Sequence, residues 1–230
     1  MLVVSNIDLT NNIPVIQPAK FLESTIKDFT LNLSNDYRYM KSGYYVSLHA
    51  EILGNRVIPT SENIIDSSRI PILLLRASRA GIPTQPFIVT DSIKKIANEV
   101  GFPAVIFAVN PFIHAGYKTA NNKTALYRAV KSLGMNYKFA VCAQPLRDEM
   151  YSFKSFFGKC NENDKIKTIA EKVYSLFQIP VCTLHVQEFK GEIYLSGLQP
   201  IEKDEITQSD LKTISREVLL VSEQGDHISG

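Results

Sequence analysis

Residues 35–60 read NDYRYMKSGYYVSLHAEILGNRVIPT, and the fold turns on how this stretch is read. Just before it, Phe29, Leu31 and Leu33 alternate with Thr30, Asn32 and Ser34. That period of two is the mark of a strand with one face buried. Inside it, Tyr45, Leu48 and Ile52 recur at helical spacing, widened by Val46, Ala50 and Leu53, which predicts a helix with an apolar stripe. Ser42 is placed to cap that helix, and Gly54 stands where a left-handed residue ends one. Val57 and Ile58 then open a second short apolar run. Strand, helix, strand within about thirty residues is a βαβ unit, which requires a parallel sheet and a right-handed crossover.

The rest of the chain extends this pattern. Val3 and Val4 predict a first buried strand, Val15 and Ile16 a short second one, and Pro18 a helix through Leu22. Helices are expected over residues 72–80, 93–100, 125–133 and from 164, where Ile166, Ile169, Ala170, Val173 and Phe177 keep helical spacing. Strands are expected over 87–89, 102–109, 139–143, 150–157 and 180–189, with Lys190-Gly191 turning into another at 192–196. Residues 110–118 read as a loop, a last helix is capped by Ser209 or Asp210, and residues 222–230 as a frayed tail. The fold class is α/β (α+β), a small open parallel layer followed by α+β subdomains.

Composition sets outer bounds. A chain of 230 residues buries roughly 70–75% of its extended surface, so a core needs neither disulfides nor metal. The formal charge of +2, with lysines spread along the chain, gives no basic stripe for nucleic acid. Cys142, Cys160 and Cys182 are odd in number and show no zinc spacing, so reduced thiols in a cytoplasmic setting are expected. No leader and no apolar run of about eighteen residues is seen, so a soluble protein away from membranes is expected.

The wording of the organising stretch carries more than its shape. Tyr37-Arg38-Tyr39, then Ser42-Gly43-Tyr44-Tyr45-Val46-Ser47-Leu48, Ala50-Glu51 and Gly54-Asn55-Arg56 resemble the segment that marks the N-terminal domain of RimK-like ATP-grasp proteins. Helix, Gly81-Ile82-Pro83-Thr84, strand, helix, Gly101-Phe102-Pro103-Ala104-Val105-Ile106, loop, helix, strand is similar to the first half of an ATP-grasp module. The resemblance implies residues 1–65 as a pre-ATP-grasp-like domain, 66–148 as an ATP-grasp A-like subdomain, 149–220 as an α+β C-terminal subdomain and 221–230 as tail. It also allows residues 1–70 and 149–220 to be one domain, with the middle as an insertion. The wider superfamily consists mostly of ATP-dependent carboxylate–amine ligases.

Such a ligase uses lysines on nucleotide phosphates, a glycine-rich loop whose N–H groups hold them, and acidic residues with an Asn to hold magnesium. The resemblance puts the first lysine at Phe107, the loop at 110–118, whose one glycine is Gly116, and the metal-holding pattern at Ser196 and Leu198. The acidic residue of the preceding strand is matched only by His185. The sequence therefore implies a non-catalytic module with no catalytic and no metal-ligating residue, requiring no cofactor. It would bind a substrate or partner, such as a small carboxylate, a complete ATP-grasp ligase subunit or a second copy of itself. Arg38 would pair with a ligand's carboxylate, with Tyr44 or Tyr45 walling the pocket, or else the tyrosines pack and Arg38 pairs structurally. The alternative is an active ligase binding ATP and Mg2+ through displaced residues: Lys118 or Lys123 for phosphate, and Glu188, Glu192 or Glu202 for magnesium. A third reading is a structural interaction protein with a large apolar patch.

Other constellations are weak. His49, His114, His185 and His227 lack metalloprotease spacing, no P-loop or G-x-S-x-G elbow occurs, and Cys142 sits in an apolar run as a core thiol.

Overall fold

The computed structural model describes residues 1–10, 13–110, 113, 116–226, without the side chains of 224–226. The chain divides into two compact units. The first takes residues 1–65, 154–183 and 200–230; the second takes 66–153 and 184–199.

The first unit is built on a four-stranded sheet of order β2-β1-β3-β4. Its strands are β1 (Leu2–Ser5), β2 (Val15–Ile16), β3 (Thr30–Leu33) and β4 (Val57–Ile58), and every pairing is parallel. Helix α1 (Pro18–Leu22) follows β2, and α2 (Ser42–Ile52) makes the crossover between β3 and β4. The βαβ unit is therefore present. Gly54 closes it at φ 80°, a backbone angle that suits a residue without Cβ.

Two details of α2 differ from the sequence reading. Its buried residues are Gly43, Val46, Ser47 and Ala50, whereas Tyr45 and Ile52 are 41% and 75% exposed. The reason is close approach. A Cβ on Gly43 would stand 2.6 Å from the Asp36 carbonyl oxygen and 2.9 Å from Ser34 Cβ, so the helix meets the strand end through its smallest residues. Ser42 does not cap either; the N-cap is Lys41, with no side-chain capping bond. Val4, Phe21, Val46, Ala50 and Val57 pack together beneath the helix.

Downstream, α3 (Ser61–Ser68) starts with Glu51 accepting from the Ser61 amide (2.8 Å) and hydroxyl (2.5 Å). The last helix, α8 (Gln208–Asp226), continues past Ser222, where fraying was expected. Its start is also shifted: Asp210 Oδ2 accepts from the Thr207 amide (2.9 Å) while Thr207 Oγ1 accepts from the Asp210 amide (3.2 Å). This reciprocal pair is a capping box with Thr207, not Ser209 or Asp210, as the cap.

In the second unit, α4 (Ile70–Arg79) precedes a four-stranded sheet of order β5-β8-β6-β7, antiparallel throughout. Its strands are β5 (Ile88–Thr90), β6 (Ala104–Ala108), β7 (Tyr117–Ala120) and β8 (Val141–Pro145). Helices α5 (Ile93–Glu99) and α6 (Lys123–Leu133) cover one face, and Ile96, Ile106, Leu126, Val130, Leu133 and Val141 fill the core between. Strand β7 lies partly in the stretch read as loop; four residues bearing two exposed polar side chains are too short for periodicity to find. The remaining strands, β9 (Met150–Phe156), β10 (Val181–Phe189) and β11 (Glu192–Gln199), form a sheet of order β11-β10-β9, and α7 (Asp164–Phe177) lies between β9 and β10 in sequence. Among the described residues no helix is long and apolar enough to cross a membrane.

Candidate functional site

In the first unit the chemistry-bearing residues stand at the carboxyl ends of β1 and β3, where open α/β sheets place ligands. Asn6 and Asn35 pair through Asn6 Nδ2 to Asn35 Oδ1 (2.7 Å) and Asn35 N to Asn6 Oδ1 (3.2 Å). Asn32 donates to the Gly43 carbonyl (2.6 Å) and to Ser47 Oγ (2.8 Å), and Ser47 donates on to the Pro59 carbonyl (2.6 Å). Tyr37 donates to the Asn32 carbonyl and accepts from the Ser34 amide, each at 2.9 Å. Burial pushes its hydroxyl far above the ordinary phenol range. These bonds hold the chain at the end of β3 in one conformation.

Arg38 is set into this frame with an internal partner. Its Nε donates to Asp36 Oδ1 at 2.8 Å and its NH2 to Asp36 Oδ2 at 2.5 Å. Burial works against ionisation of Asp36, but the Arg38 hydrogen bonds and charge outweigh it and keep the carboxyl below its ordinary value. The fork-to-fork geometry suits guanidinium and carboxylate, and Asp36 supplies the carboxylate from two residues away in the chain. Tyr44 and Tyr45 are neighbours in an edge-on ladder: Tyr39 to Tyr44 at 5.1 Å between centroids, then Tyr44 to Tyr45 at 5.6 Å.

In the second unit, the positions that the resemblance assigns to phosphate and metal meet. Phe107 on β6 pairs across the strand with Tyr117 on β7, their ring centroids 5.7 Å apart. Tyr117 stands edge-on to His185 of β10 at 5.2 Å. A Cβ on Gly197 would stand 3.1 Å from Phe107 Cε1, 3.3 Å from Ile70 Cδ1 and 3.4 Å from His185 Cδ2. One on Gly116 would collide with Gln199 Oε1. Aromatic rings therefore fill this region of the second unit.

Beside the rings lies a network of uncharged side chains. Gln187 Nε2 donates to Ser196 Oγ (2.8 Å) and Gln144 Nε2 to the Ser196 carbonyl (3.0 Å), while Gln187 Oε1 accepts from the Arg147 amide (3.3 Å). Ser152 Oγ and His185 Nδ1 are 2.7 Å apart, and among the described residues His185 Nε2 is buried without a hydrogen-bond partner. Burial lowers the His185 pKa below its ordinary 6.5, with Gln199 opposing in part, so the imidazole is held neutral at pH 7. Sequence reasoning missed Gln144 and Gln187, although polar residues inside the apolar runs 141–145 and 181–189 were a readable signal.

The residues of the alternative reading lie elsewhere. Lys118 pairs across from Ile106, so it shares the helix-covered face, where its Nζ donates to Ser132 Oγ of α6 (2.8 Å). Facing residues on paired strands share a side of the sheet, which puts Lys118 opposite to Phe107 and Tyr117. Lys123 opens α6 and is exposed, as are Glu188, Glu192 and Glu202. Among the described residues no three His, Cys, Asp or Glu side chains are grouped to hold a metal ion.

The other sequence candidates have structural surroundings. His49 Nε2 bonds the Ser24 carbonyl (3.0 Å) and its ring meets Phe21 edge-on at 5.2 Å. His114 and His227 lie outside the described residues. Cys142, Cys160 and Cys182 are free, and burial pushes the Cys142 thiol up to about 12, which leaves it inert.

No curated protein matches the sequence. Several solved structures share the fold. A RimK domain protein ATP-grasp from Sphaerobacter thermophilus is 13% identical, with 94% of this chain and 98% of that one covered and a TM-score of 0.65. D-alanine–D-alanine ligase from Bacillus anthracis is 14% identical, with 98% and 100% covered and a TM-score of 0.65. The ATP-grasp ligase PsnB, complexed with precursor peptide PsnA2 and AMPPNP, is 12% identical, with 95% and 96% covered and a TM-score of 0.64. The family described as RimK-like ATPgrasp N-terminal domain matches over residues 20–217, most of the chain. With its fold and its sequence in agreement, this chain belongs to the RimK-like ATPgrasp N-terminal domain family.

Proposed function

We propose that this chain is a non-catalytic RimK-like ATP-grasp module that binds a substrate or partner for a carboxylate–amine ligase. The observation that supports it most is the Phe107–Tyr117–His185 contact: the phosphate and metal positions of a ligase meet here as two apolar-bodied rings and a neutral imidazole. A triphosphate needs cations and close oxygen donors, and this site offers uncharged amides and hydroxyls. A complete ATP-grasp ligase subunit, or a second copy of this chain, is the partner in this reading. The cytoplasm is its setting, supported by the free cysteines.

Calorimetric titration of the purified protein with ATP and MgCl2 tests the proposal. Expected is no saturable heat at millimolar nucleotide and no phosphate release. Magnesium-dependent hydrolysis that disappears in Lys118→Ala would overturn it.

One observation favours a second reading, an active carboxylate–amine ligase using ATP and Mg2+. The fold covers nearly the whole of a D-alanine–D-alanine ligase and of PsnB. That reading needs Lys118 or Lys123 to reach phosphate, and the same titration separates the two.

A further inference from the structure

A cleft of about 400 Å3 opens at one end of the antiparallel sheet in the second unit. Its walls come from Pro71 and Ile72 at the start of α4, Val89 on β5, Val109 and Asn110 just after β6, and Phe139 and Ala140 just before β8, with Arg69 beside them. Apart from Arg69 and Asn110 these side chains are apolar. Asn110 is buried and its amide donates to the Leu133 carbonyl (3.1 Å), so it helps to fix the shape of the cleft.

Arg69 is half-buried, and among the described residues its side chain has neither a hydrogen bond nor an ion pair. The two other half-buried arginines each have a carboxylate partner. Arg38 and Arg76 hold Asp36 and Asp66. A guanidinium withdrawn partly from water without a counter-ion is costly, and an anion seated beside it recovers a charge-assisted bond. The volume falls within the range of small-molecule sites, where an apolar lining with few polar groups fixes orientation. Val89 and Phe139 remain 44% and 39% exposed, so the apolar wall is open to an incoming ligand.

We propose that this cleft is a binding site for a small organic anion with an apolar body, the anion on Arg69 and the body against Ile72, Val89, Val109 and Phe139. It is separate from the Phe107–Tyr117–His185 cluster and does not depend on whether that cluster binds nucleotide. An aryl acetate has the right proportions: a flat ring for the wall and one charge for the guanidinium.

Titration calorimetry with phenylacetate and with neutral benzyl alcohol tests it. Phenylacetate is expected to bind saturably at millimolar concentration or below, and benzyl alcohol about tenfold or more weakly, the worth of one charge-assisted bond. Arg69→Gln should bring phenylacetate down to the level of the alcohol, and Arg69→Lys should restore part of the difference. Circular dichroism establishes that both variants fold. Should the variants fail to fold, the comparison of acid and alcohol on the unaltered protein decides alone. Equal affinity for acid and alcohol, no saturable phenylacetate binding, or unchanged affinity in a folded Arg69→Gln overturns the proposal.

Discussion

Tyr117 meets His185 edge-on, ring centroids 5.2 Å apart and planes at 76°, and this contact joins β7 to β10. Phe107 extends it on the other side of Tyr117 at 5.7 Å. Edge-to-face pairs of this kind add about 0.5–1.5 kcal/mol beyond their buried area. The cluster therefore stabilises the second unit.

Phe107→Lys places an ammonium against Tyr117 and His185 at a position 1% exposed. We expect the variant to lose about 3 kcal/mol or more, read as a fall in the urea midpoint, and to gain no ATP hydrolysis. Stability equal to the parent would show that the ring is not integral to the core.

His185 gives a pH dependence of definite sign. Burial lowers its native pKa below the ordinary 6.5, so in acid the unfolded state takes up the proton first. Its contribution is complete above about 6.5 and declines as pH falls from there toward the lowered native value. Urea unfolding at a series of pH values should show this decline, and His185→Gln should flatten it. An unchanged profile in that variant would assign the slope to other groups.

Gly43 is fixed by contact rather than by backbone angle. Gly43→Ala would press a methyl to 2.6 Å from the Asp36 carbonyl, and an overpacked close approach costs about 1–3 kcal/mol. The denaturation midpoint should fall with no change in slope. A neutral substitution would mean that α2 can slide away from β3.

Arg38 and Asp36 form one coupled unit with both side chains under a fifth exposed. Arg38→Ala and Asp36→Ala should each destabilise, and the double variant should lose less than their sum, with a coupling of about 1–2 kcal/mol. Strict additivity would show that the Arg38–Asp36 pair is not a coupled structural unit.

The sequence showed the parallel layer well because its signals are local. Gly54 after α2 and the turn at Lys190-Gly191 depend on a few adjacent residues. Strand β3, read from its alternation as buried on one face, is instead buried on both, with Thr30 and Asn32 as enclosed as Leu31 and Leu33. It misjudged which face of α2 is buried, since Tyr45 and Ile52 look like core residues until the strand end beside Gly43 forces a close approach. It missed Thr207 as a cap because Ser209 and Asp210 are equally eligible residue types, and only the reciprocal bonds distinguish them. For the candidate site, Phe107, His185 and Ser196 were individually visible as departures from a ligase pattern. Their convergence, and the Gln144–Gln187 network that supports it, depend on pairing between strands far apart in sequence, which no local pattern encodes.

The pairing of β6 with β7 has one further consequence. Ile106 lies across from Lys118, and Phe107 from Tyr117, so the two flanks of this hairpin differ by a single step of parity. A basic group could arrive on the ring-lined flank from Lys118 only if the whole strand slid one place, which would also carry Tyr117 and Thr119 to the wrong flank. Which side chains line the ring-bearing flank is therefore a matter of strand phase, set by the β6–β7 register.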